Sequence, residues 1–307
     1  NSVTVNISSG TSLIINGSTV GIGSAATVVN DGNLNTSAFY YGYGISSGAN
    51  GRSQAGGSNI TNNGTIYTGG TNASGIYISA TNAGSTANTI TNTGSITTVG
   101  AGANGIQVVN GGAITTINNS GVISAQGANS NGIQVTGAAN IANSGTICPS
   151  TVVGSNCVAS GASSGNGIQI DNNANPNRTT ITNTSSGLIG APTTANFAIY
   201  SAQQPGVDIL NYGKITAANA TATAINFVGS TSGGSNNAVT LYGGSTLIGG
   251  ISFNKGNTQE TLNFYGFSNS NFNNAVTGLN IINATNSSNV LMSSASGYDL
   301  VSGKNFC

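Results

Sequence analysis

Seven times along this chain an apolar residue, a spacer and an asparagine are followed by a glycine and a further apolar residue. The word reads VVNDGNL at 28, NITNNGTI at 59, TITNTGSI at 89, TINNSGVI at 116, NIANSGTI at 140, TITNTSSGLI at 180 and DILNYGKI at 208. Its anchors are Asn30, Asn62, Asn92, Asn119, Asn143, Asn183 and Asn211, separated by 32, 30, 27, 24, 40 and 28 residues. A second word keeps the same rhythm: SGIYI at 74, NGIQV at 104 and again at 131, and NGIQI at 166, with AIYS at 198 and AINF at 224 as degenerate copies. Seven copies define a repeat architecture, in which each unit buries its apolar face only against its neighbours.

Each unit holds three short β-patterned pieces punctuated by Gly and Asn. There is no 3.6-residue period, and Leu, Glu and Lys are too few to support a helix, so helical solenoids are excluded. The expected fold class is all-β: a right-handed parallel β-helix, three short strands per coil, with roughly 7 to 10 coils stacked about 4.8 Å apart. The repeat places this solenoid at 28–266. Residues 1–27 alternate like strands and are expected as an N-terminal strand or cap, and 267–307 as irregular C-terminal coils or cap.

Period-two alternation assigns faces. Ile60, Ile66, Ile76 and Ile78 point inward, while Thr65 and Tyr67 point out. Asn62 shares the inward parity. A buried amide is costly alone, but identical amides stacked coil on coil can bond to one another, so the seven anchors are expected to form an inner ladder. The glycine after each anchor, or the Asn before it, is expected to supply the positive φ of a corner. The middle residue of each second word points outward, giving a row of Tyr77, Gln107, Gln134, Gln169, Tyr200 and Asn226. Such a row is explained by ordinary sheet pairing on a solvated face, or by recognition of a ligand or of another copy. The densest aromatic run is Phe39, Tyr40, Tyr41 and Tyr43, read either as packing against the first coil or as a sticky surface for glycan stacking or self-association.

Composition narrows the chemistry. Of 307 residues only five are Lys or Arg and five Asp or Glu, and there is no His, where an ordinary domain is roughly a quarter charged. Without basic clusters the phosphate-neutralising contribution to nucleic-acid binding is missing. No apolar stretch approaches the roughly 20 residues of a membrane-spanning helix. The start shows no charged region followed by an apolar run, so Asn1 is expected to be a mature or trimmed terminus. Gly21, Gly23 and Ala26 have a dinucleotide-fingerprint spacing but lead into a β-branched run, not a helix. Asp31, Asp171, Asp208 and Asp299 are isolated, against both calcium-binding repeats and paired-carboxylate hydrolases. No catalytic residue, metal ligand or cofactor is assigned, and the expectation is that the chain is not an enzyme. The outward thread Thr65, Ser95, Val122 and Thr146 is too interrupted for an ice-binding threonine array.

With ITNTGSITT, NGIQV and IANSGTI in view, the chain resembles the secreted passenger domains of Gram-negative autotransporters. The stretch VTLYGGSTLIGGISFNKGNTQETLNFYG at 239–266 is similar to a pattern common near the C-terminal end of such passengers, ahead of the outer-membrane barrel. The alternating segments of a barrel do not follow here, so the barrel is expected to be absent from this chain. The resemblance implies a β-helical architecture, export, and a place on the outer cell surface or outside the cell. Cys148 and Cys157, nine residues apart inside the 40-residue interval, are expected to close a small disulfide loop in an oxidising compartment. Closely spaced Cys pairs also occur in passengers similar to the vacuolating-cytotoxin group. Cys307 is left over.

Two functional classes follow. In the first the chain is a surface-displayed adhesin or toxin-like passenger that binds cell-surface or host ligands through stacked polar and aromatic rows. In the second it is a structural subunit, joined to further copies through the unpaired ends of the solenoid into a filament or layer.

Overall fold

The computed structural model describes residues 4–15, 17, 20–23, 25–36, 40–48, 56–80, 86–110, 112–159, 165–171, 176–202, 206–228, 236–253, 259–269, 275–285, 289–290 and 295–296. Phe39 and Cys307 lie outside them. All regular structure among the described residues is β, and none of it is a helix that could cross a membrane. The chain winds so that each coil contributes one strand to each of three parallel sheets, the parallel β-helix expected from the repeats. The third coil shows the unit, with strands Asn59–Asn62, Thr65–Thr68 and Ile76–Ala80. The first sheet has 11 strands, from Thr4–Ile7 to Ile281–Thr285. The second has nine, from Ser12–Ile15 to Thr246–Ile248, and the third 11, from Val20–Ile22 to Ala295–Ser296. Among the described residues nine coils therefore carry a strand in each of these three sheets, and pairing continues on both sides of 28–266.

Register explains why so few residue types suffice. In the first sheet Val28, Ile60, Ile90, Ile117, Ile141 and Ile181 lie one above another. In the second the column runs Leu34, Ile66, Ile96, Ile123, Ile147, Ile189. In the third it runs Ile45, Ile76, Ile106, Ile133, Ile168, Ile199. These side chains are buried completely or nearly so. Each contributes about 1.5–3 kcal/mol by leaving water, and a β-branched side chain loses little rotamer freedom on a pleated face. Three isoleucine columns meeting along one axis make a thin, continuous core.

Beside the first column runs the asparagine ladder. Asn30 donates its Nδ2–H to Oδ1 of Asn62, Asn62 to Asn92, Asn92 to Asn119, Asn119 to Asn143, Asn143 to Asn183 and Asn183 to Asn211, at 2.7–2.9 Å. All seven amides are buried. Asn143 also donates to the carbonyls of Gly145 and Leu188, both 3.2 Å, which ties two corners to one rung. The ladder stops where apolar residues take its register, at Ile7 before Asn30 and at Leu241 after Asn211.

The expected reason for the corner glycines needs correction. Gly64, Gly94, Gly121 and Gly145 do not have left-handed φ. A methyl group on Gly94 would overlap the carbonyl oxygen of Gly64, and one on Gly121 that of Gly94. The glycine of the second word is constrained in the same way: at Gly105 a methyl would run into Ile123 and come within 2.6 Å of the Gly132 carbonyl oxygen. Coil-to-coil spacing excludes a side chain here, not a backbone dihedral. A column of left-handed positions lies at the corner between the second and third sheets, where Tyr41, Asn72, Gly102 and Asn129 have φ of 59°, 55°, 68° and 57°. They stack through Tyr41 N–H to Thr71 O, Asn72 N–H to Ala101 O and Gly102 N–H to Ala128 O, at 2.8–3.1 Å.

The 40-residue interval holds a bonded Cys148–Cys157 disulfide. It closes an antiparallel hairpin, Thr151–Val153 with Asn156–Val158, set on the corner after the second sheet. The ladder passes beneath undisturbed, since Asn143 and Asn183 pair as closely as other rungs.

Removing an interior rung strands the amide on each side of it. Asn119→Ala is expected to destabilise by about 2–4 kcal/mol, since each unmet buried amide group costs about 1–3 kcal/mol. Asn118→Ala, on the exposed side of the same strand, is expected to lose less than half as much. Urea denaturation followed by circular dichroism measures both, and equal losses would show that the ladder is not a chain of mutually satisfied amides.

Candidate ligand-binding trough

Strand pairing brings all six residues of the outward row into one register: Tyr77 against Gln107, then Gln134, Gln169, Tyr200 and Asn226. Each is half-buried on the solvent side of the third sheet. Tyr77 and the three glutamines form the floor of a trough of about 500 Å³. Tyr200 and Asn226 continue the row beyond it, Tyr200 packed against Phe197 with ring centroids 5.9 Å apart.

One wall is the left-handed corner column of Tyr41, Asn72, Gly102 and Asn129. Between wall and floor stand Asn104 and Asn131, the first letters of the two NGIQV words. They belong to a second amide ladder. Asn104 Oδ1 accepts from the Asn131 backbone N–H at 2.8 Å, Asn131 Oδ1 from that of Asn166 at 2.7 Å, and Asn166 Oδ1 from that of Phe197 at 3.0 Å. The same asparagines hold the floor. Asn104 donates to Gln134 Oε1 and Asn166 to Gln169 Oε1, both 2.9 Å, and Ser74 donates to Gln107 Oε1 at 3.0 Å. From the other side Gln134 and Gln169 donate Nε2–H to the two carboxylate oxygens of Asp171, at 2.8 and 2.7 Å. Every glutamine of the floor is thus fixed in orientation.

The aromatic run closes one end, so two features far apart in the reading of the sequence meet in space. Tyr43 is buried and stacks on Tyr77, centroids 4.6 Å apart and planes 13° from parallel. Tyr40 and Tyr41 meet edge to face at 4.3 Å and stay exposed, 57% and 47%. Packing accounts for Tyr43, while Tyr40 and Tyr41 offer a surface. Burial, followed by its tyrosine neighbours, pushes the Tyr43 hydroxyl well above the usual tyrosine range. Tyr200 is raised by burial first and then by the charge of Asp171.

Sequence reasoning assigned nothing to Asn72, Asn104, Asn129, Asn131, Asn166 or Asp171. The signal was present for three of them, as the asparagine that opens NGIQV and NGIQI; each lies two positions ahead of its strand, beyond the reach of a parity argument confined to the strand. A second aromatic group was missed as well. Tyr212, Tyr242 and Tyr265 stack outward at the corner after the first sheet, with centroids 3.9 and 5.4 Å apart. Each is followed by glycine, a Tyr-Gly pair recurring at 212, 242 and 265. Hydrogen bonding to Tyr212, then burial, raises Tyr242 to about 12.

None of the described residues lining the trough is charged, so it offers oriented amide donors and acceptors and aromatic faces. No family model matches the chain, and comparison with curated proteins and with solved structures gives no match.

Tyr43 and Tyr242 are protonated in the fold beyond the pH at which an unfolded tyrosine ionises, near 10. The stability they contribute is complete below that pH and is lost as pH rises through the folded value, about 12 for Tyr242. Absorbance titration is expected to show a late-ionising class of tyrosines, smaller in Tyr43→Phe and in Tyr242→Phe, with the urea midpoint falling across the same alkaline window.

Proposed function

We propose that this chain is a non-enzymatic extracellular surface protein, a passenger-like adhesin that meets its ligand along the outward face of the third sheet. The observation that carries this reading is the trough: a concave site whose floor and wall are pre-oriented before any ligand arrives. Groups already fixed lose little freedom on binding. A solenoid suits display, because its register repeats the same outward residue at each coil and so extends a site along the axis. The Cys148–Cys157 disulfide fits an oxidising compartment outside the cytosol.

Fluorescently labelled protein is expected to bind cultured mammalian cells saturably in flow cytometry. Gln107→Ala combined with Gln134→Ala is expected to weaken that binding about tenfold, equivalent to about 1.4 kcal/mol. Thr65→Ala combined with Ser95→Ala, on the outward face of the second sheet, is expected to leave it unchanged. Absence of saturable binding, or equal losses in the two variants, would overturn the assignment of this face.

A further inference from the structure

We propose that the trough takes a neutral oligosaccharide, an assignment that rests on the surface-binding reading above and names the ligand class. The argument is donor and acceptor accounting. A primary amide offers two N–H donors and two acceptor lone pairs. Gln134 and Gln169 each spend one lone pair, on Asn104 and on Asn166, and one N–H, on Asp171. Each therefore presents a further donor and a further acceptor side by side, held in place and repeated at the coil spacing of about 4.8 Å. A hydroxyl group donates and accepts at one atom, so a ligand bearing a row of hydroxyls satisfies both halves of every rung. Gln107, with its carbonyl engaged by Ser74, adds N–H donors to the same row.

Charge excludes the anionic alternatives. No lysine or arginine lines the trough among the described residues, so a sulfate, phosphate or carboxylate finds no partner there, and the Asp171 carboxylate beside Gln134 and Gln169 repels it. An extended peptide is a poorer occupant. The floor is the face of a sheet already paired on both sides, with no strand edge to join, and the described residues lining it are mainly amides and glycines with tyrosines at one end.

The closed end supplies what a sugar ring needs besides hydrogen bonds. Tyr41 lines the trough and stays 47% exposed, an aromatic face on which the C–H face of a pyranose ring packs. Its φ of 59° is costly for a bulky residue, while Asn72 and Asn129 occupy the same column with residues that tolerate it. The ring is thus held at the trough's mouth against a backbone preference.

Binding to an immobilised array of neutral, sialylated and sulfated oligosaccharides tests this, with labelled wild-type protein, Tyr41→Asn and Gln134→Ala. The fold of each variant is checked by thermal melting. Tyr41→Asn places in the column a residue it already carries, and Tyr212→Ala at the distant aromatic group serves as control. The expected result is retention on neutral oligosaccharides, reduced about tenfold in both trough variants and unchanged in Tyr212→Ala. Binding only to sialylated or sulfated members overturns the neutral-ligand assignment, as does neutral binding that survives both trough substitutions. If no array member is retained while cells are still bound through Gln107 and Gln134, the saccharide assignment fails and the surface reading stands. If cells are not bound either, both fail.

Discussion

In-register pairing of each coil on the next governs this molecule. Once strands of successive coils bond residue by residue, every side chain sits on its own equivalents at about 4.8 Å, and a position is acceptable only if it tolerates a copy of itself. Isoleucine passes the test inside, asparagine at the corner and glutamine outside. Charge fails it, because like charges at that spacing repel. The described charged residues show how exceptions are accommodated. Arg178 and Asp208, one coil apart, form a two-point ion pair with its shorter contact at 2.6 Å. Asp31 accepts from Asn63 at 2.8 Å, and Asp171 is capped by two glutamines. Buried Glu260 accepts from the backbone and side-chain N–H groups of Asn237 at 2.9 and 3.0 Å. The near absence of charge in the composition is a consequence of stacking.

The same rule decides what can be read without coordinates. Strand parity and a repeated anchor give the core columns, the asparagine ladder and the outward row, because these properties are identical from coil to coil. The glycine after each anchor was legible as necessary but not for its reason. A dihedral argument is local, whereas the overlap of a Gly94 methyl with the Gly64 carbonyl exists only between coils. The trough wall was illegible for a related cause. Tyr41, Asn72, Gly102 and Asn129 keep an almost constant offset of 11, 10, 10 and 10 positions from Asn30, Asn62, Asn92 and Asn119, but they lie outside the strands, where period-two parity assigns no face, and their identity changes from coil to coil, so no repeated letter marks the column.

Rigidity in the binding face comes from corner chemistry rather than from the core. Asn104, Asn131 and Asn166 each satisfy a backbone N–H of the following coil, and two of them also orient a glutamine. Structure and recognition thus share residues, and a change at one of these corners alters both. The disulfide-closed hairpin illustrates the opposite arrangement, since its strands lie outside the three sheets and the interval containing it adds length without disturbing the rungs on either side.

The asparagine ladder also has a direction. At every step the earlier coil donates and the later accepts, so seven amide dipoles lie head to tail along the axis, and each polarises the next. A single amide turned round would set two carbonyl oxygens face to face on one side and two N–H groups on the other. No rung can therefore flip alone. Orientation becomes a collective property of the file, shared by all seven amides between the apolar ends at Ile7 and Leu241.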